Sequence, residues 1–482
     1  MKSPGFNIPL FSRFICILGF CFWCIALSIK YYSFGFYDWD LALYSQTMWA
    51  LCHGTTTTSL FGTSFLADHA HFIAFLITPI YFFLGHPLTL LYLEVLSFFV
   101  GAYVLYTLAE KLTSPGTAFV LMAIYILHPA NIFMLLYEFH FESLAIALIF
   151  LLFYFHHLEN YKGFLITAVF LMLVKENMPA IVFMIGIYGL LFKPAGRIKW
   201  GLIPLALGLG MFILTMFVIM PMVRQNLPTH QSTYWIIFSA FGKTPDEILK
   251  NLLLNPGIFI KQLATLKNLY FIKDILGGFL PAAIFSPAIL LIGTPILLEN
   301  LLSNHVAQHT IFYHYTATLV PFASIAAVYT FSYFKKHHQQ WSYRVCLAFC
   351  LLITACSLHN YSHLIQNRVK LCIPPNAGLR QAIIDKIPPD AGVISSIAFL
   401  SQLSQRQNLY ALYNVWMNIN YFTGQHPFIV PSTVHYAIID YNEPFVISYS
   451  RHPQVVTRIK NFLEKGGWKI KSAQSGIVLY ER

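Results

Sequence analysis

The sequence has little charge. Asp, Glu, Lys and Arg make up 10% of its 482 residues, where soluble domains carry nearer a quarter. A chain that is also 57% hydrophobic is not a soluble globular protein. One long polar-rich segment, Tyr31 to Pro87, has no Lys and no Arg. The net charge of +11 is therefore unevenly spread, and it gathers in short loops rather than on a nucleic-acid-binding face. The first apolar run, Phe14–Ile29, lacks a small-residue cleavage site and reads as a retained span, not a signal peptide. No inverted repeat is visible, which many transporters would show. Most cysteines (Cys16, Cys21, Cys24, Cys346, Cys350, Cys356) fall inside apolar runs and read as small core residues. Cys52 and Cys372 lie on the side assigned below to the exterior, where a disulfide between them is one option.

What the chain does have is a series of apolar runs from Phe14 to Leu358, long enough to cross about 30 Å of hydrocarbon. The spacing predicts spans over 14–30, 88–109, 117–136, 143–157, 162–174, 178–192, 200–223, 269–284, 287–302, 310–334 and 344–359. The expected fold is an α-helical polytopic membrane protein with about eleven transmembrane helices. Some runs are shorter than a full crossing, and Pro281 and Pro287 interrupt the pair between Leu269 and Leu302. Lys2, Arg13, Lys111, Lys162, Lys193, Arg197, Lys199, Lys335, Lys336 and Arg344 flank these runs and mark cytoplasmic ends by the positive-inside rule. The stretches Tyr137–Glu142 and Ser303–His309, placed outside, have no Lys or Arg, and Lys175 alone breaks the pattern. The N-terminus is then cytoplasmic and the tail extracytoplasmic.

The transmembrane part covers 1–360, with longer outer loops at 31–87 and 224–268. Leu41–Leu51 and Phe72–Leu84 carry apolar faces at helical spacing and read as helices lying in the interface. The second ends at Gly85-His86-Pro87. Pro245–Leu253 reads as an amphipathic helix. Residues 361–482 form a small α/β domain. Helices are expected at Leu379–Ile387 and Pro453–Glu464, strands at Gly392–Ile397, Asn408–Leu412 and Tyr436–Asp440, and a closing hairpin over Trp468–Tyr480. The tail carries no glycine-rich phosphate fingerprint and no nucleophile elbow, so it reads as a structural cover over the membrane core.

Several short motifs are more specific. Tyr37-Asp38-Trp39-Asp40-Leu41 is followed by Gln46 and Trp49, then His53-Gly54 and Ala67-Asp68-His69. Phe139-His140-Phe141-Glu142, Lys175-Glu176-Asn177, Leu298 to Ser303, and His314-Tyr315 with Pro321 come later. Together with the ending Gly476 to Arg482 they resemble a bacterial predicted-membrane-protein family, domain of unknown function twenty seventy-nine, over nearly the whole chain. The family usually has Asp-Leu-Gly where this chain has Asp40-Leu41-Ala42, and often Glu-Asp where it has Glu176-Asn177. Those departures weaken any role for Ala42 and Asn177. The layout, with an acidic residue past the first span and a long outer loop, also resembles the GT-C superfamily of polytopic glycosyltransferases. That resemblance implies a bacterial inner-membrane enzyme that takes a sugar from a polyprenyl-phosphate donor to an extracytoplasmic acceptor. Its partners would be the lipid-linked donor and membrane lipids, with protein partners unidentified and no nucleic acid.

Such chemistry needs a base at the acceptor hydroxyl and a group to stabilise the departing phosphate. Asp40 is the first candidate for the base and Asp38 the second; either could instead cap the helix that begins near Leu41. Asp38, Asp40 and His140 together could hold Mg²⁺ or Mn²⁺. Asp68 and His69 could contact a metal or substrate, or cap the second interfacial helix. His140 and Glu142 could face the same cavity, although Glu142 also suits a helix N-terminus. Lys175 and Glu176 could pair with one another, or Lys175 could hold a phosphate. Arg224 and Lys243 are further phosphate candidates, and both residue types also commonly meet lipid headgroups. His314 and Tyr315 could contact substrate, whereas His305, His309 and His314 lack convincing metal spacing. Two other readings stay open. One is a transporter or lipid-handling protein with Glu94, Lys175 and Glu176 along a pathway; the other is a non-catalytic envelope scaffold.

Overall fold

The computed structural model describes residues 7–227 and 236–482. Lys2 and part of the 224–268 segment lie outside the described residues. Helices begin where a polar side chain caps and a proline follows, because proline needs no amide partner in the first turn. The Asn7 side chain accepts from Leu10 N at 3.1 Å at the start of α1 (Ile8–Tyr32). His86 Nδ1 accepts from Leu88 N at 3.1 Å ahead of Pro87, which opens the long helix Pro87–Leu112. The same device at His128-Pro129 splits the run expected over 117–136. Its two pieces, Pro115–Ile126 and Pro129–Leu136, meet at 47°.

The expected apolar runs form helices of unequal length. Among the described residues, five helices are long and apolar enough by length and composition to cross a membrane, Ile8–Tyr32, Pro87–Leu112, Pro194–Arg224, His314–Lys336 and Gln340–Leu371, and the bent pair taken as one span makes a sixth. The runs at 143–157, 162–174 and 178–192 form Phe141–His157, Tyr161–Met172 and Met178–Phe192, each of 10–17 residues. That is short of the roughly 20 needed for a full crossing. The run at 269–284 breaks at Gly277 and again near Pro281. Along Met178–Phe192 and Pro194–Arg224 the backbones approach closely at Gly186, Gly189, Gly201 and Gly208, where an added Cβ would strike the facing helix. Small residues at such contacts are typical of helix packing in lipid.

Peripheral helices leave large apolar side chains uncovered, including Phe14, Ile17, Phe22 and Ile25 on α1, and Phe349 and Leu352 on Gln340–Leu371. A lipid environment would cover them. Cys21 and Cys356 share these outer faces and are exposed, so they are not core residues, whereas Cys16, Cys346 and Cys350 are buried. Basic loops collect at one end of the bundle. Arg13 Nε donates to the Tyr103 hydroxyl at 2.6 Å, Lys335 donates to the Thr113 carbonyl, and Lys193 pairs with Glu159 at 2.7 Å.

At the other end, α1 leads into α2 (Asp40–Cys52) and α3 (Ile73–Phe83). A short antiparallel pair, β1 (Thr57–Thr58) and β2 (Thr63–Ser64), separates them. α3 keeps an exposed apolar side, with Phe75, Leu76, Ile80, Phe82 and Phe83, as an interfacial helix would. α2 does not. Leu41 through Met48 are all buried, because α2 is covered by the tail. Gln46 Nε2 donates to the Arg406 carbonyl at 2.9 Å, and Ser404 Oγ donates to Ser45 Oγ at 2.8 Å.

The tail holds a five-stranded sheet of β3 (Gly392–Ser395), β4 (Leu409–Ala411), β5 (Val434–Asp440), β6 (Lys469–Gln474) and β7 (Ile477–Glu481). Its order is β4-β3-β5-β7-β6, with β3 parallel to both β4 and β5, and β7 antiparallel to β5 and β6. The helix Ile397–Leu403 follows β3 and presses on α2; Glu443 caps it by accepting from Ile397 N and Ala398 N at 3.1 and 2.9 Å. One apolar core runs without a break from the bundle into this sheet, and Gln340–Leu371 continues past residue 360. All eight cysteines carry free thiols. Cys52 and Cys372 face the Thr78 and Arg368 carbonyls instead of each other.

Candidate functional site

A cavity of about 820 Å³ lies between the bundle and the tail, within the usual range for small-ligand sites. Asp38, Asp40, Asp68, His69, His140, Lys175, His314 and Tyr315 all border it. Five separate stretches of chain bring them there. The tail supplies the facing side with Tyr413, Tyr421, Phe422 and Phe445. Trp39 meets Tyr413, Tyr421 and Phe422 edge-on, with ring centroids 5.3, 6.1 and 6.0 Å away.

The start of α2 presents the acids. Asp40 does not cap this helix, since its N-terminal position is Trp39 with no side-chain cap. Glu138 does that from a distant loop: its two oxygens accept from Asp38 N at 2.7 Å and Leu41 N at 2.9 Å. Asp38 Oδ1 accepts from Trp39 N at 2.9 Å, so the capping alternative describes Asp38 in part. The Asp40 carboxylate is left to the cavity, where Oδ2 meets His140 Nε2 at 2.7 Å and the Tyr137 hydroxyl at 2.9 Å. Tyr137 also lies 2.6 Å from Asp38 Oδ2, so one phenol serves two acids.

These contacts separate the two carboxyls. Burial, then the Asp40 charge, pushes Asp38 up to about 6 against its hydrogen bonds. Burial acts on Asp40 too, but the His140 charge and hydrogen bond outweigh it and hold Asp40 below the ordinary carboxylate value. Burial disfavours the His140 imidazolium, yet Asp40 first and Glu142 next push it up to about 10. At neutral pH Asp40 is therefore ionised beside a cationic ring.

The second layer is ionic. Lys175 does not pair with its neighbour Glu176; it pairs with Glu142, and both are buried. Glu142 Oε2 lies 3.3 Å from both His140 Nδ1 and His314 Nε2. Glu176 instead holds the Asp68-His69 loop, taking His69 Nδ1 at 2.7 Å and Ala70 N at 2.9 Å. Burial would raise the Glu176 carboxyl, but the His69 charge and hydrogen bond, then Lys175, draw it down to about 2. Its contribution, about 3 kcal/mol at this depression, is full above the ordinary Glu value and is lost as pH falls from there toward 2. Denaturant titrations in detergent should show stability falling through that window, and Glu176→Gln should flatten that part of the profile.

Other candidates sit elsewhere. Arg224 is buried and donates to the Ala67 carbonyl at 2.6 Å, and neither it nor Lys243 borders the cavity. His309 is bound by Asn268 Oδ1 at 2.8 Å and the Ser303 carbonyl at 2.6 Å. Glu94 and Glu176 do not border the cavity, so they do not join Lys175 along it. The candidate metal set also shifts. Among the described residues, the side chains whose ligand atoms converge are Asp40, His140 and His314, all within 4.8 Å of one another. Asp38 is not among them; its oxygens meet Tyr137 and Trp39 N.

Sequence reasoning missed Tyr137 and Glu138, although both fall in the cation-free stretch Tyr137–Glu142 and a second acid there was a usable signal. It also missed the tail aromatics, which carry no signal before the tail is folded back over Trp39.

A crystal structure of ArnT from Cupriavidus metallidurans bound to undecaprenyl phosphate aligns over 95% of this chain and 96% of that one, with 11% identity and a TM-score of 0.41. No curated protein matches. A family model described as "Predicted membrane protein (DUF2079)" matches residues 30–479. That match spans nearly the entire chain, motifs and tail included, and the chain belongs to the DUF2079 family of predicted membrane proteins.

Proposed function

We propose that this membrane protein is a glycosyltransferase of GT-C type, moving a sugar from a polyprenyl-phosphate donor to an acceptor hydroxyl outside the cytoplasm. One observation carries the reading: the Asp40 carboxylate opens onto a cavity of about 820 Å³ that is also bordered by the buried Lys175 and a set of tail aromatics. In this scheme Asp40 accepts the proton of the acceptor hydroxyl as its oxygen attacks the anomeric carbon. The bond from that carbon to the phosphate breaks, and polyprenyl phosphate leaves with its electron pair. Lys175 and the His140 ring supply positive charge near the departing group. Tyr413, Tyr421 and Phe422 offer flat apolar faces against which a sugar ring can pack.

The basic loops at the far end of the bundle support a cytoplasmic assignment for that end. The cavity and the tail then belong to the outer face of the inner membrane.

The test is purified protein in lipid offered polyprenyl-phosphate sugars and a pool of envelope glycolipid acceptors, with release of polyprenyl phosphate measured. Turnover that depends on donor supports the reading. No turnover with any donor, together with unchanged cellular function of Asp40→Asn, counts against it.

A further inference from the structure

We propose that Asp40, His140 and His314 form a site for one divalent transition-metal ion of the Zn²⁺ or Fe²⁺ type. The proposal stands on the arrangement of these side chains and holds whichever reaction the cavity performs.

The two imidazoles stack with centroids 3.2 Å apart and planes 15° from parallel. Glu142 Oε2 lies 3.3 Å from His140 Nδ1 and 3.3 Å from His314 Nε2, so one carboxylate oxygen faces both rings. The remaining nitrogens are His140 Nε2 and His314 Nδ1. Asp40 Oδ2 lies 2.7 Å from His140 Nε2. His314 Nδ1 is buried and has no hydrogen-bond partner, in a residue 5% exposed. A buried nitrogen left without a partner costs about 1–3 kcal/mol. An ion bound at the ring edges beside Asp40, with the rings turned out of their stack, gives it one.

The surroundings fit that role. A histidine that ligates a metal commonly gives its other ring N–H to a carboxylate, which fixes the tautomer and the ring plane. Glu142 lies beside both rings at ion-pair distance and is itself held by Lys175, while His140 Nδ1 meets the Tyr44 hydroxyl at 3.3 Å. Two imidazoles and one carboxylate suit Zn²⁺ or Fe²⁺, and such an ion would replace the proton that His140 Nε2 now shares with Asp40 and supply the positive charge in its place. Mg²⁺ and Ca²⁺ prefer all-oxygen shells and fit the set poorly. Both hydrogen bonds to Asp40 fall on Oδ2, so Oδ1 stays available to a substrate hydroxyl.

Full-length protein in detergent, stripped with a chelator and titrated with Co²⁺, tests this by visible absorption. The expected result is saturable d–d bands at one Co²⁺ per chain, abolished by Zn²⁺ and unaffected by excess Mg²⁺. In His314→Gln and His140→Gln the Co²⁺ affinity should fall by more than the roughly 10–100-fold that loss of an outer-shell partner costs. Absence of saturable bands in the unaltered protein overturns the proposal. So does displacement by Mg²⁺, or unchanged affinity in either folded variant. The unaltered chain is itself a readout, so a variant that fails to fold does not decide the outcome. A protein that transfers sugar but binds no Co²⁺ refutes the metal site alone.

Discussion

Asp40→Asn is expected to lower kcat for sugar transfer by about 10²–10⁴-fold, the range that general-base catalysis supplies, with KM little changed. The substitution keeps size and shape and removes the charge that would accept the proton. It should not unfold the site, because the N-terminus of α2 is capped by Glu138 and not by Asp40. Thermal unfolding midpoints of the variant and the unaltered protein should therefore lie close together while their rates diverge. Asp38→Asn should cost less, since Asp38 sits near its own titration point and lends one oxygen to Trp39 N. Initial rates of polyprenyl phosphate release for the two variants decide the assignment. Full activity in Asp40→Asn with loss in Asp38→Asn would exchange their roles.

How far the sequence foretold this site depends on which interactions were local. The tail strands were legible because alternation and turn residues act within a few positions, and β3, β5 and the final hairpin fall within a few residues of the expected ranges. The cation-free loops were legible too, and Asp40, Asp68 and His140 do border one cavity. What the sequence could not show was partnership across the fold. Lys175 and Glu176 are adjacent in sequence but face opposite partners, Glu142 and His69, because consecutive residues outside a helix need not share a side. α2 carries the apolar periodicity of an interfacial helix, and periodicity does not say whether lipid or protein covers the apolar face. Here the tail does, through Ser404 and Gln405. Crossing number stays open in the sequence for a related reason: an apolar run of 12 to 15 residues, such as Tyr161–Met172 or Met178–Phe192, looks the same whether it spans or is buried in the bundle.

The largest loss of stability is expected from Glu142→Gln. Glu142 is 6% exposed and Lys175 5% exposed, so each charge depends on the other. Breaking a buried pair by removing one partner costs about 3–5 kcal/mol, because the remaining charge keeps its desolvation penalty. Here Lys175 would stay buried without its acid, and the edges of His140 and His314 that face Glu142 would lose their shared carboxylate. Unfolding in detergent, followed by tryptophan fluorescence, should show a markedly lower midpoint for this variant. If the cost is an orphaned ammonium, removing that ammonium should recover part of it, so Glu142→Gln combined with Lys175→Met should be more stable than Glu142→Gln alone. A double variant no better than the single one would place the loss with the two histidines, and the role of Glu142 would then be to hold the stacked rings in register with Asp40.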